Sequence, residues 1–288
     1  MSISSEIERL QKAKKDIGDA IVRKGGSVSG TIDTYAKSVM ALGDYTFKQV
    51  CDVVNKSDAK NVDLTMIDVS NVTSFLNAFA NNKTIENVNV SNWNTSKVTS
   101  MRSVFYLCDN LKSLSCENWR LDECASMFAM FDSCAALKNF DPSRWNTSKV
   151  TNMEWVFVRC ASLTTLDLSK WDTSQVTVMN NLFSSCTSLT SLDISGWNTS
   201  KVNSMRYILY NCHSLETLKC ENLILPDIEL GNLGLEYSTK LTVGSIVGLL
   251  NALPQSDKGY SFQIGSDNIA KLSDEQKAIA TNKGWTLI

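Results

Sequence analysis

Large apolar side chains recur along this chain at a fixed interval, with polar residues between them. Trp93, Trp119, Trp145, Trp171 and Trp197 stand 26 residues apart, and so do Cys108, Cys134, Cys160, Cys186 and Cys212. One such copy is enough to show the internal pattern. Leu163, Leu166 and Leu168 open it, with Thr165, Asp167 and Ser169 on the alternate positions. That period of two predicts a strand with one buried face. After Trp171 the spacing changes. Val176, Met179, Phe183 and Cys186 are three, four and three residues apart, which predicts one stripe of a short helix, with Thr173 or Ser174 as its N-cap.

Columns of equivalent residues run on through the neighbouring copies. Val72, Val98, Cys124, Val150, Val176, Val202 and Ile228 form one, and Phe79, Phe105, Phe131, Phe157, Phe183, Leu209 and Leu235 another. Seven units fit between about residue 59 and residue 241, the outer two degenerate, as terminal repeats usually are. A unit of this size cannot bury its apolar face alone, so the units must stack. The expected fold class is α/β: a leucine-rich-repeat solenoid of strand–helix units with a parallel sheet on one face.

The flanks divide the chain further. Residues 1–43 are expected to be a helical anchor or oligomerisation segment, 44–241 the solenoid, and 242–288 an α+β cap. In the first, Ile3, Ile7, Leu10, Ile17 and Ile21 follow a seven-residue a/d pattern. It suits either a coiled-coil seam in a homo-oligomer or a helix packed on the array or on another protein. Tyr45 to Val54 is apolar enough to begin the sheet. In the last, Thr242 is placed to cap a helix carrying Val243, Ile246, Val247, Leu250 and Leu253. Tyr260, Phe262 and Ile264 alternate as a strand. Ser273 and Gln276 form a capping box for a second helix, which Gly284 ends before a final strand from Trp285 to Ile288.

Composition narrows the function. The 288 residues carry a formal net charge of -2, and there is no basic stripe, which argues against nucleic acid as a partner. No apolar run approaches a membrane span. Five of the nine cysteines keep the repeat period and there is no CxxC, so the thiols are expected to be buried and reduced, with no metal. The one histidine, His213, stands at a variable turn position, and GSVSG at residues 26–30 lacks the Lys of a P-loop. No catalytic residues and no cofactor are expected.

One polar row stands out. Asp141, Asp167 and Asp193 are equivalent positions on successive strands, flanked by Asn139, Thr165 and Ser191. Stacked strands bring such side chains about 5 Å apart. The row is a candidate face for a glycan, a peptide or a cation. Equally, it suits a solvated strand face whose carboxylates bond the turns.

The segment from Leu166 to Leu189, LDLSKWDTSQVTVMNNLFSSCTSL, resembles the BspA-like leucine-rich repeats of bacterial surface proteins and mycoplasma lipoproteins. The likeness covers about residues 59–241, and Trp, Val-x-x-Met, Phe and Cys all recur in it. It implies binding to host, matrix or cell surfaces and no catalytic residues. The two ends, RLQKAKKDIGDAIVRKGGSVSGTIDTYAKSVMAL and LSDEQKAIATNKGWTL, resemble the opening segment of phage tail and virion-associated proteins and the closing segment of repeat proteins from gut Bacteroides and their phages. With no export signal at the start, the expected setting is a virion assembled in the host cytoplasm. There the N-terminal helix would dock on other virion proteins, and the solenoid would meet a host surface protein or glycan. The alternatives are a bacterial surface adhesin and an intracellular interaction scaffold.

Overall fold

The computed structural model describes residues 47–65, 67–138, 140–226 and 232–288. The seam residues Ile3, Ile7, Leu10, Ile17 and Ile21 lie outside them, as does Asn139.

The chain is a stack of coils. Strands of three residues line one side: β1 (Asn61–Asp63), β2 (Asn87–Asn89), β3 (Ser113–Ser115), β4 (Thr165–Asp167), β5 (Ser191–Asp193) and β6 (Thr217–Lys219). All pair in parallel, and the register is the repeat itself, with Val62 opposite Val88 opposite Leu114 and Leu166 opposite Leu192 opposite Leu218. The central residue of each strand points inward, as period two requires. The parallel-sheet solenoid of the leucine-rich-repeat class therefore stands.

The short helices do not. From Met153 to Cys160 the chain is a run of turns, and the same holds in every described coil. Alternate residues bond in different directions. Met153, Trp155, Phe157 and Arg159 donate their N–H groups to Val178, Asn180, Leu182 and Ser184 of the next coil, at 2.8–3.1 Å. Val158 and Cys160 instead donate back three residues, to Trp155 and Phe157, at 3.4 and 3.2 Å. This second ladder is continued by bridges from Ser74 through Ser100, Ser126, Asn152 and Val178 to Ser204. It needs a left-handed residue on either side of the buried Phe. Trp155 (φ 64°) and Arg159 (φ 56°) flank Phe157, and Asn181 and Ser185 flank Phe183. A right-handed helix tolerates no such residues. A chain that turns repeatedly also brings every third or fourth residue inward, so the apolar spacing alone could not separate the two. Thr173, expected to cap a helix, is buried and donates its hydroxyl to the Asn198 carbonyl of the next coil at 3.0 Å.

Between the ladders the core is layered. Phe79, Phe105, Phe131, Phe157 and Phe183 stack ring on ring at 5.3–5.7 Å. The tryptophans stack beside them, with Trp119, Trp145 and Trp171 at 5.8 and 6.0 Å. Three of these indoles reach back one coil: Trp93 donates to the Leu64 carbonyl at 2.8 Å, Trp171 to that of Pro142 at 3.2 Å and Trp197 to that of Leu168 at 2.9 Å.

The fourth coil interrupts the sheet, leaving one three-stranded group on either side. Pro142 has no N–H to give where Leu64, Val90, Leu168 and Ile194 each donate to the next strand at 2.9 Å. Phe140 fills the column held by Leu114 and Leu166, and its ring packs on Phe131 at 5.2 Å and Trp145 at 5.8 Å. Around this fault the indole N–H groups of Trp119 and Trp145 are buried without a partner among the described residues.

Both ends of the stack are closed. The segment expected to begin the sheet is instead helix α1 (Phe47–Asn55). Its apolar residues Phe47, Val50, Cys51 and Val54 are spaced as one helix face, and Phe47 stacks on Phe75 at 4.7 Å. At the other end the cap follows the sequence expectation closely. Helix α2 (Val243–Ala252) starts at Thr242, whose side chain accepts the Ser245 N–H. Helix α3 (Ser266–Ala270) follows, and helix α4 (Asp274–Thr281) carries the Ser273–Gln276 capping box. Two short strands, β7 (Ser261–Phe262) and β8 (Thr286–Leu287), pair in parallel. The buried Ser245 hydroxyl accepts the Leu218 N–H of β6 at 2.9 Å, in place of the strand that would come next.

Candidate binding faces

The strand face carries the polar row singled out from sequence. The sheet brings Thr165 beside Ser191 and Asp167 beside Asp193. Asp141 belongs to no strand, because the sheet is broken there. Each carboxylate has local work. One oxygen of Asp167 accepts both the N–H and the hydroxyl of Ser169, at 3.0 and 2.7 Å. Asp193 holds Ser195 in the same way, at 3.1 and 2.7 Å, and Asp141 accepts the Ser143 N–H at 2.9 Å. These bonds lock the turn that leaves the strand. They also favour the ionised form, holding the Asp141 and Asp167 carboxyls below the usual range, mainly through the Ser143 and Ser169 hydrogen bonds.

Other side chains on this face bond from coil to coil. Asn87 donates to Asn61 at 2.6 Å, and the Ser113 hydroxyl donates to Asn87 at 2.5 Å. Glu86 lies between Lys112 and Lys60, whose ammonium groups stand 2.5 and 2.8 Å away and push its carboxyl down to about 2. Two turn asparagines are tied too, since the side chains of Asn146 and Asn198 accept the N–H of Ser148 and Ser200.

The thiol column is closed to solvent. Cys108, Cys134, Cys160, Cys186 and Cys212 each donate Sγ–H to the carbonyl of a Phe one coil back, at 3.0–3.2 Å. All nine cysteines are free and buried. Burial pushes the Cys108 and Cys212 thiols up to about 12. A disulfide-exchange reagent at about pH 8 is therefore expected to label none in the native protein and all nine after denaturation. Rapid native labelling, read by absorbance, would contradict this packing.

The turn face carries residues that the repeat pattern did not flag. Asp132 is fully buried there, and its Oδ1 accepts from the Ser133 hydroxyl at 2.9 Å and the Arg159 guanidinium at 3.0 Å. Its Oδ2 has no partner among the described residues, and desolvation raises its pKa against those two bonds. On the same side, Tyr106, Phe128 and Trp155 border a cleft of about 480 Å³, together with Asn77, Ala80, Asn81, Ser103 and Ala129. The signal for it was present in the sequence. Trp155 is a tryptophan outside the 26-residue register, between the inward positions Met153 and Phe157. Among the described residues no cluster of His, Cys, Asp and Glu could hold a metal ion, and no helix is long and apolar enough to cross a membrane.

Coils of this length, with this corner and these columns, define a BspA-like class of leucine-rich-repeat solenoid. Residues 45–142 and 135–222 match a family described as "Mycoplasma protein of unknown function, DUF285". The match spans more than half of the chain, and the chain belongs to that family. No curated protein matches the chain. Among solved structures, a leucine-rich repeat protein of T. pallidum shares 18% identity at a TM-score of 0.47, covering 68% of this chain and 84% of its own. One from Bacteroides ovatus ATCC 8483 shares 14% at a TM-score of 0.21, covering 67% and 70%.

Proposed function

We propose that this protein is a non-enzymatic adhesion module whose solenoid attaches to a component of a host cell surface. The observation that supports this most directly is the arrangement of its polar groups. On the strand face Glu86, Lys60, Lys112, Asn87, Asp167 and Asp193 are tied into turns and coil-to-coil bonds, which makes a stiff, ordered outer surface. The titratable groups there are spread along the stack and converge on no cleft. Such a surface suits broad contact better than proton transfer at one point. The setting proposed for it is a phage particle, on the strength of the resemblance of the two ends, with the first 43 residues docking on other virion proteins.

The test uses the full chain, fluorescently labelled, on a panel of gut Bacteroides cells. Saturable retention on some strains, removed by excess unlabelled protein, is the expected result. Retention that never saturates, or none on any strain, would sink the adhesion reading. Antibody labelling of purified particles tests the virion setting separately.

A further inference from the structure

We infer that the cleft on the turn face is a carbohydrate site, in which a neutral sugar ring stacks against Trp155, with Phe128 packed beside that indole. The inference rests on the adhesion reading and names the face and ligand class through which it works.

Three independent features converge on this cleft. The first is Trp155 itself. Six of the seven tryptophans are buried at 1–3% exposure, whereas Trp155 is 39% exposed. It sits at φ 64°, a conformation that a bulky side chain adopts only at a cost. Equivalent positions in other coils hold Asn77, Ser103, Ala129 and Asn181, also at positive φ. Of the six equivalent positions four hold a small residue, and Trp155 and Tyr207 are the two that carry a large aromatic ring. Folding does not account for that choice, whereas contact with a ligand does.

The second feature is the geometry of the aromatics. The Phe128 and Trp155 rings lie 5.6 Å apart at 28°, and the Arg102 guanidinium closes the Phe128 ring at 4.6 Å. Tyr106 completes the border, and the floor is made by the small side chains of Ala80, Ser103 and Ala129. The volume of about 480 Å³ lies within the roughly 300–1,000 Å³ usual for small-ligand clefts.

The third is the state of the polar groups. On the strand face Asn87, Asp167 and Ser113 are all engaged. Around the cleft, the amides of Asn77 and Asn81 and the hydroxyls of Ser103 and Tyr106 have no hydrogen-bond partner among the described residues. Flat aromatic faces beside unpaired amides and hydroxyls suit the C–H face and the hydroxyl edge of a pyranose. An aliphatic peptide side chain would leave those polar groups buried and unpaired, at a cost. An anionic ligand finds little here, because Arg102 lies over the Phe128 ring and Arg159 is paired with Asp132. Tyr207 extends the line: it occupies the position of Trp155 two coils further on, at φ 57° and 42% exposed. An oligosaccharide chain is the better fit for that extension.

The experiment is an array of neutral oligosaccharides built from glucose, mannose, galactose and N-acetylglucosamine, probed with the full chain. Affinity for any array sugar is then measured by titration. Trp155→Asn is the decisive variant, because the fold already accepts Asn at Asn77 and Asn181. It should fold with unchanged or higher thermal stability and bind the array sugar about two- to tenfold more weakly, the loss expected when a stacking aromatic is removed. Because Trp155 is the exposed indole, acrylamide quenching of the wild type should fall when that sugar is added. Equal binding by Trp155→Asn would overturn the site. Saturable cell attachment with no array sugar bound, or attachment competed by apolar peptides alone, would overturn the ligand class and leave the adhesion reading standing. Absence of both attachment and sugar binding would overturn the two together.

Discussion

Trp171→Ala is expected to lower the stability of the array by about 3–5 kcal/mol, the usual range for emptying a large aromatic site. Trp171 is 1% exposed. Its ring stacks on Trp145 at 6.0 Å and Phe157 at 6.3 Å. Its indole N–H donates to the Pro142 carbonyl at 3.2 Å, in the coil where the sheet is already broken. Removing it leaves a cavity between coils that the turn-face ladder, with Met153 bonded to Val178 at 3.0 Å and Phe157 to Leu182 at 2.9 Å, keeps from closing. Urea unfolding followed by circular dichroism measures the loss. A change below about 1 kcal/mol would show that the corner indoles are not what holds this stack together.

Ending the chain after Thr242 is expected to cost the fold altogether. The cap covers the last coil: Leu225 donates its N–H to the Ala252 carbonyl, and the Ser245 hydroxyl accepts that of Leu218. Without it the Leu218 N–H and the buried side chains of Leu218, Cys220 and Leu225 meet water, and an open edge recruits other chains. The expected product is insoluble or aggregated, as size-exclusion chromatography would show. Ser245→Ala is a milder version. It leaves the Leu218 N–H unpaired and should cost about 1–3 kcal/mol while keeping the protein monodisperse. A soluble, cooperatively unfolding chain that ends at Thr242 would show that the last coil closes itself.

Much of this architecture is legible in the residues, and the parts that are not share a physical cause. Strand positions are legible because Leu166 and Leu168 alternate with Thr165 and Asp167, and a period of two belongs to an extended chain with one buried face. The C-terminal cap is legible because Thr242, Ser273 and Gly284 are specific start and stop signals. The turn segments are not, because Val176, Met179, Phe183 and Cys186 show only which residues face inward. A helix and a run of turns satisfy that spacing equally. What decides between them is the neighbouring coil, which offers carbonyls to N–H groups that a helix would use internally. The strand-face row is legible, together with its bonding alternative. The Asp167 and Asp193 bonds to Ser169 and Ser195 give that alternative its physical content. The turn-face cleft is hidden because Trp155 lies off the columns that the period defines, and only the stacking of coils brings Phe128 and Tyr106 beside it.

The two ladders also govern how the array can grow. Where helices form one side of a repeat, that side is wider than the sheet, and the stack bends into a horseshoe. Here both sides are tied by backbone hydrogen bonds of nearly equal length, from Met153 to Val178 at 3.0 Å on one side and from Leu168 to Asp193 at 2.9 Å on the other. With the same pitch of about 4.8 Å on each side, nothing forces an arc. Gaining or losing a coil therefore lengthens or shortens the stack by one step of that pitch. Under the proposed adhesive role, reach becomes adjustable in steps of one repeat.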